Sequence, residues 1–163
     1  MIRIGHSFDI HKLKVGKGFK LGGIEIQSNK AVVAHSDGDC LLHAISESFL
    51  GALGLGDLGD FYPDNISETK DMDSSVMLKE VYDKLRNKGY HLQNIDCMIY
   101  LEFPKLKPYK ARIQNHIANL LAISPQDISI KATTFEGMGD IGRNDAIAAS
   151  CVSLIKKQSI RKL

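Results

Sequence analysis

Nowhere does the sequence carry a run of about 18 consecutive apolar residues, the length a helix needs to cross a bilayer, and Met1 to His6 lack the long apolar core of a signal peptide. Cysteine is scarce. Cys40, Cys97 and Cys151 are odd in number, widely separated and form no C-x-x-C pair. That excludes a disulfide scaffold and suits a reducing compartment, with Cys97 and Cys151 as small buried hydrophobes. Charge of one sign is scarce too: the formal net charge is +2, with the signs interspersed. Such a chain has no field to draw nucleic acid or an anionic membrane surface, and no basic stripe with aromatics between. Linkers, repeats and low-complexity blocks are absent. The expected location is the cytoplasm, or a plastid if a transit segment has been removed.

What is present fits a single globular domain. The 163 residues are 44% hydrophobic and 25% charged, an ordinary soluble mix. A domain of this size buries about two thirds of its unfolded surface and needs no metal merely to fold. The reading is one catalytic domain over 1–157 and a basic tail, 158–163, that frays.

Residues 2–11 alternate, with Ile2, Ile4, Phe8 and Ile10 on one side and Arg3, Gly5, Ser7, Asp9 and His11 on the other; this predicts a half-buried strand. Gly22 and Gly23 separate 19–21 from 24–26, a small hairpin. Leu42, Ile45, Phe49 and Leu53 recur at helical spacing after Asp39, which caps a helix over 39–53. A second helix is predicted over 74–87 behind Asp73, and a third over 109–121 behind Pro108. Strands are predicted at 94–102, 128–134 and 146–155. Residues 54–73 show no clear element, and a loop of that length in a compact domain is functional or mobile. The fold class expected is mixed α/β (α+β): about four main strands in a mixed sheet, helices on one side, plus the hairpin.

Asp9 and His11 stand two apart on a strand and therefore leave the same face. His43 sits on the first helix. One carboxylate and two imidazoles make an incomplete tetrahedral set, the arrangement of a catalytic rather than a structural zinc site. Taken singly, each also reads as an ordinary polar or packed residue. Glu47, one turn after His43, either orients it or is a solvated helix face.

Beyond spacing, a set of collinear segments resembles the cyclodiphosphate synthase family of the non-mevalonate isoprenoid pathway. These are Ile4 to His11, Ala34 to Asp39, Leu42 to Ala44, Leu55 to Gly59, Tyr62 to Asp64, Pro104 to Leu106, Lys131 to Thr134 with Glu136, and Gly142 with Arg143. The resemblance runs from residue 1 to about 155. It implies a phosphorus–oxygen lyase that cyclises 4-diphosphocytidyl-2-C-methyl-D-erythritol 2-phosphate and releases CMP. The 2-phosphate attacks the β-phosphorus, so the chemical problem is charge neutralisation and in-line positioning rather than a missing nucleophile.

By the family pattern, Asp9, His11 and His43 hold Zn²⁺ and Glu136 a second ion, Mg²⁺ or Mn²⁺. His35 and Thr134 are the transition-state stabilisers. Substrate is met by Asp9, Ile10, His11, His35 and Ser36. Asp57, Leu58 and Gly59, then Tyr62, Pro63, Asp64, Asn65 and Ile66, line the methylerythritol side. Leu101, Glu102, Phe103, Pro104, Lys105, Leu106 and Lys107 clasp the cytosine, and Thr133, Thr134, Phe135, Glu136, Asp140 and Arg143 complete the site. The family forms homotrimers with each active site between two subunits. Phe135 stands where most members carry a threonine. Asp140 replaces an aromatic lining an apolar cavity on the three-fold axis that takes isoprenoid diphosphates, so that binding is expected to be weakened here. Arg143 is expected to pair with Asp145. Two rival readings are a metal-dependent phosphohydrolase that uses water in place of the 2-phosphate, and a catalytically silent trimeric binding protein.

Overall fold

Strand β1 (Ile2–Val15) sets the architecture through its alternation, because successive side chains of a strand leave opposite faces. Gly5, Ser7 and Leu13 are buried and Asp9 and His11 half-buried, on the side covered by helix α1 (Cys40–Leu53). The apolar set faces the other way: Ile2, Ile4, Phe8 and Ile10 are between 50% and 67% exposed. The computed structural model describes residues 1–63 and 72–158.

Five strands form one mixed sheet in the order β4-β1-β7-β5-β6, where β4 is Lys30–Val33, β5 Tyr90–Tyr100, β6 Ile128–Thr133 and β7 Ala146–Lys157. β7 lies antiparallel between β1 and β5, while β5 and β6 run parallel. A parallel pair needs a crossover, and helix α4 (Lys110–Leu121) supplies it, packing against β6. With α1 and helix α3 (Ser74–Asn87) it covers one face of the sheet. The core between the layers is built on Leu42, Ile45, Phe49, Leu78, Ile95, Ile99 and Ile113, all fully buried.

Two local devices hold α1 where the site needs it. Asp39 caps the helix, accepting the Leu42 N–H at 3.0 Å, and also accepts the N–H groups of Gly22 (2.9 Å) and Gly23 (2.7 Å) in the turn between β2 (Phe19–Leu21) and β3 (Ile24–Ile26). Both glycines have positive φ, so that turn suits residues without a Cβ. The second device is a close approach: a Cβ on Gly5 would lie 1.7 Å from the Ser48 carbonyl oxygen. Helix backbone therefore rests directly on β1. Gly5→Ala is expected to cost about 3 kcal/mol or more through overpacking, read as a lower urea midpoint at unchanged slope.

The predicted elements recur with shifted ends. The sheet has a fifth strand, β4, too short to show a period, which pairs with the end of β1 from Lys12 to Val15. Part of the predicted loop is helix α2 (Leu58–Phe61), closed by a capping box between Asp57 and Asp60. A second single turn, α5, spans Gly139–Gly142. β7 runs on through Lys156 and Lys157, and the Gln158 N–H donates to the Gly89 carbonyl at 2.9 Å. Residues 159–163 of the expected tail lie outside the described residues, as do Asp64, Asn65 and Ile66.

Candidate active site

β1 and α1 bring Asp9, His11 and His43 together. Asp9 Oδ2 lies 3.1 Å from His11 Nε2 and 3.1 Å from His43 Nδ1, and the two nitrogens are 3.3 Å apart. Donors about 2.0–2.1 Å from a tetrahedral ion stand about 3.3 Å from one another. The triangle therefore fits one small cation with an open fourth position. Among the described residues it is the one group of three or more such side chains with ligand atoms this close. Asp9 Oδ1 accepts the Ile10 N–H at 2.8 Å, which turns Oδ2 toward the histidines.

Electrostatics supports the same arrangement. Burial pushes the Asp9 carboxyl up, but hydrogen bonds and charge from His11 and His43 outweigh it and hold the group well below the usual carboxylate range. Burial pushes His43 down, and the Asp9 hydrogen bond and charge overcome it, leaving His43 above its ordinary value. Glu47 is raised by burial.

The triad lines a cavity of about 390 Å³ together with His35, Ser36, Glu47, Leu58, Gly59 and Tyr62. Asp57, the cap of α2, directly precedes Leu58 of that lining. Tyr62 is pinned by its hydroxyl, which donates to Glu80 of α3 at 2.6 Å, and Pro63 follows it. A second cavity of about 180 Å³ is lined by Leu101, Pro104, Lys105, Leu106, Lys107, Thr133 and Thr134. Chain neighbours of that lining are held by side chains: the Phe103 N–H donates to Asn144 Oδ1 (3.3 Å) and the Phe135 N–H to Glu102 Oε2 (3.2 Å).

His35 and Thr134 therefore belong to different cavities of one chain. Glu136, with φ 52°, accepts from Thr134 Oγ1 at 2.9 Å and does not join the triad. Phe135 stands edge-on to Tyr100, ring centroids 5.7 Å apart. Arg143 pairs with Asp145 as expected, at 3.7 Å, and also with Asp140.

The partner of His43 differs from the sequence reading. Glu47 lines the cavity and accepts the Leu58 N–H. His43 Nε2 instead meets Ser74 Oγ at 2.9 Å and Ser36 Oγ at 3.3 Å. Ser74 in turn donates to Asp37. Ser74 is 31 residues from His43 along the chain. Only the helix-cap position of Asp73, with Ser74 behind it, hinted that this residue begins an element.

Comparison with known proteins follows the same lines. The model of the YgbB family matches residues 2–156. A 2-C-methyl-D-erythritol 2,4-cyclodiphosphate synthase of Fusobacterium nucleatum is 43% identical, covering 97% of this chain and 99% of its own length. Another, of Methylobacillus flagellatus, is 46% identical, covering 98% of this chain and 100% of its own. Among solved structures, IspF of Plasmodium falciparum in complex with CDP is similar at TM-score 0.86 and 34% identity, over 97% of each chain. The bifunctional IspDF of Campylobacter jejuni is similar at TM-score 0.93 and 38% identity over 98% of this chain, which spans 43% of that longer protein.

Proposed function

Because this chain belongs to the YgbB family, alongside proteins named 2-C-methyl-D-erythritol 2,4-cyclodiphosphate synthase, we propose that Asp9, His11 and His43 are the centre of that synthase activity here. The chain is an enzyme that cyclises 4-diphosphocytidyl-2-C-methyl-D-erythritol 2-phosphate and releases CMP. The observation that carries the assignment of its centre is the donor triangle, with edges of 3.1, 3.1 and 3.3 Å, opening into a cavity that His35 and Ser36 also line.

The triad fits Zn²⁺ in donor type and spacing, and Glu136 is a hard-oxygen partner for Mg²⁺ or Mn²⁺. When bound, such ions polarise phosphoryl oxygens and neutralise the charge of the diphosphate. The chain's own groups supply the rest. His35 and Thr134 donate to equatorial oxygens as charge moves from the attacking 2-phosphate toward CMP. Asp57, Leu58, Gly59 and Tyr62 hold the methylerythritol. The backbone from Leu101 to Lys107 reads cytosine, consistent with a cavity that this stretch lines and with CDP bound by the Plasmodium falciparum relative.

A trimer is part of the reading. The outward sheet face joins Ile4, Phe8 and Ile10 of β1 to Val152 and Leu154 of β7 and to Met98 and Tyr100 of β5, with His6 and Ser150 among them, and exposed apolar surface of that kind marks an interaction surface. By the family pattern, assembly would bring the triad cavity of one subunit to the Thr134 cavity of the next.

Phosphorus NMR with the diphosphocytidyl substrate and Mg²⁺, with and without a zinc chelator, tests the function. CMP with a cyclic diphosphate, abolished by chelation, is the expected result. CMP with an acyclic product would turn the assignment to a hydrolase.

The pH dependence of metal binding follows from His43. A pKa raised on folding means the proton stabilises the metal-free fold below the unfolded value of 6.5, and this contribution fades as pH rises through the folded value. Zinc must displace that proton. Its apparent affinity is expected to climb about tenfold per pH unit below the folded His43 value and to level off above it, as read by competition with a chromophoric chelator.

A further inference from the structure

The ring edge of His43 that points away from Asp9 and His11 meets a built arrangement of its own. Ser74, the first residue of α3, is fully buried. Its N–H donates to Asp37 Oδ2 at 3.1 Å, and its hydroxyl donates to Asp37 Oδ1. A carboxylate only accepts, and a serine hydroxyl has one proton. With that proton directed to Asp37, Ser74 Oγ has only lone pairs left for its 2.9 Å contact with His43 Nε2. Nε2 therefore carries hydrogen, both in the imidazolium, whose Nδ1–H donates to Asp9, and in the ring left when a metal displaces the Nδ1 proton. Nδ1 is the nitrogen that faces Asp9 Oδ2 and His11 Nε2. Asp37 is fixed in turn: Lys20 Nζ lies 3.5 Å from its Oδ2 and 3.4 Å from Asp73 Oδ2, and the Asp37 N–H donates to the Met72 carbonyl.

We propose that Ser74 and Asp37 form a positioning relay that fixes the tautomer and ring orientation of His43, so that Nδ1 is presented to the metal lone pair first. This rests on the reading of Asp9, His11 and His43 as a metal site and extends it to two residues outside that set. Hydrogen-bonded partners behind a ligating histidine do this work in metal sites generally. Here the relay has a second consequence. Asp37 directly follows His35 and Ser36, and Ser74 opens α3. Ligand orientation is thereby tied both to the stretch that carries His35 and Ser36 and to the start of α3.

The test uses the full chain stripped of metal, with zinc affinity measured by competition with a chromophoric chelator for wild type, Ser74→Ala, Asp37→Asn and the double variant. Nitrogen-15 imidazole spectra of the metal-free proteins, recorded above the His43 titration, report the tautomer. Wild type is expected to show the Nε2–H form. Ser74→Ala is expected to show a mixture of tautomers and to bind zinc about 10- to 100-fold more weakly. Asp37→Asn should weaken zinc similarly, and the double variant should be no weaker than the weaker single one, because the two residues act as a unit. Ser74→Ala keeps the backbone N–H that meets Asp37, so the start of α3 is retained. Unchanged zinc affinity in Ser74→Ala, or a loss of affinity with the Nε2–H tautomer intact, overturns the relay alone. Failure of the wild-type chain to bind zinc overturns the metal reading and the relay with it.

Discussion

Replacing His43 by alanine is expected to remove zinc and at least about a thousandfold of kcat together. The substitution leaves Asp9 and His11 as two donors where a catalytic zinc site uses three. Lewis-acid stabilisation of a phosphoryl transition state is worth several kcal/mol, and each 1.36 kcal/mol is tenfold in rate. The fold should survive, because alanine is the best helix former, and His43 lies in the first turn of α1 with its ring toward Asp9 and His11. Two measurements check this: zinc per chain by atomic absorption, and CMP release in a single turnover. A His43→Ala enzyme with full turnover in metal-stripped buffer would show that the triad is not the centre.

Phe8→Asp is expected to yield a monomer that still binds zinc at the triad but has lost at least about a hundredfold in activity. Phe8 is 51% exposed in the single chain, with its ring 5.9 Å from that of Tyr100 on the outward sheet face. A carboxylate there costs little in a monomer facing water. In the proposed trimer, where this face meets other copies, an unpaired carboxylate costs several kcal/mol per subunit. Activity should follow assembly, because His35 and Thr134 line different cavities of one chain. Light scattering gives the oligomeric state, and a zinc assay shows whether the triad persists. A monomeric Phe8→Asp enzyme with wild-type turnover would mean that one chain carries a complete site.

Much of this was legible in the sequence for physical reasons. Caps and periods placed α1 and α3: Asp39 and Asp73 each accept an N–H from the first turn of their helix. The i, i+2 rule placed Asp9 and His11 on one face, and the ordered motifs supplied His43. Alternation in β1 divided its residues correctly but could not say which side the helices cover. Here it is the side of Gly5 and Ser7, because only small residues let α1 lie so close. The apolar side is left for another surface. β4 has too few residues to show a period, and its place depends on pairing with the end of β1. The Ser74 partner of His43 was out of reach because it arrives only through packing of α3 on α1, and Asp37 acts on the ring through Ser74. Glu47, the local candidate one turn along the helix, turns toward α2 instead.

The position of β7 bears on how the chain is made. It is the last strand in sequence, yet it lies between β1 and β5 and pairs with both along almost its whole length. On the ribosome, β1 and β4 emerge first but lack the neighbour that joins them to β5 and β6. Until residues 146–157 leave the exit tunnel, two sheet fragments coexist with unpaired edges and an uncovered apolar face, the condition in which nascent chains are vulnerable to aggregation. Completion of the fold therefore waits on the C-terminal strand. A premature stop before Ala146 should leave a target for proteolysis rather than a smaller enzyme.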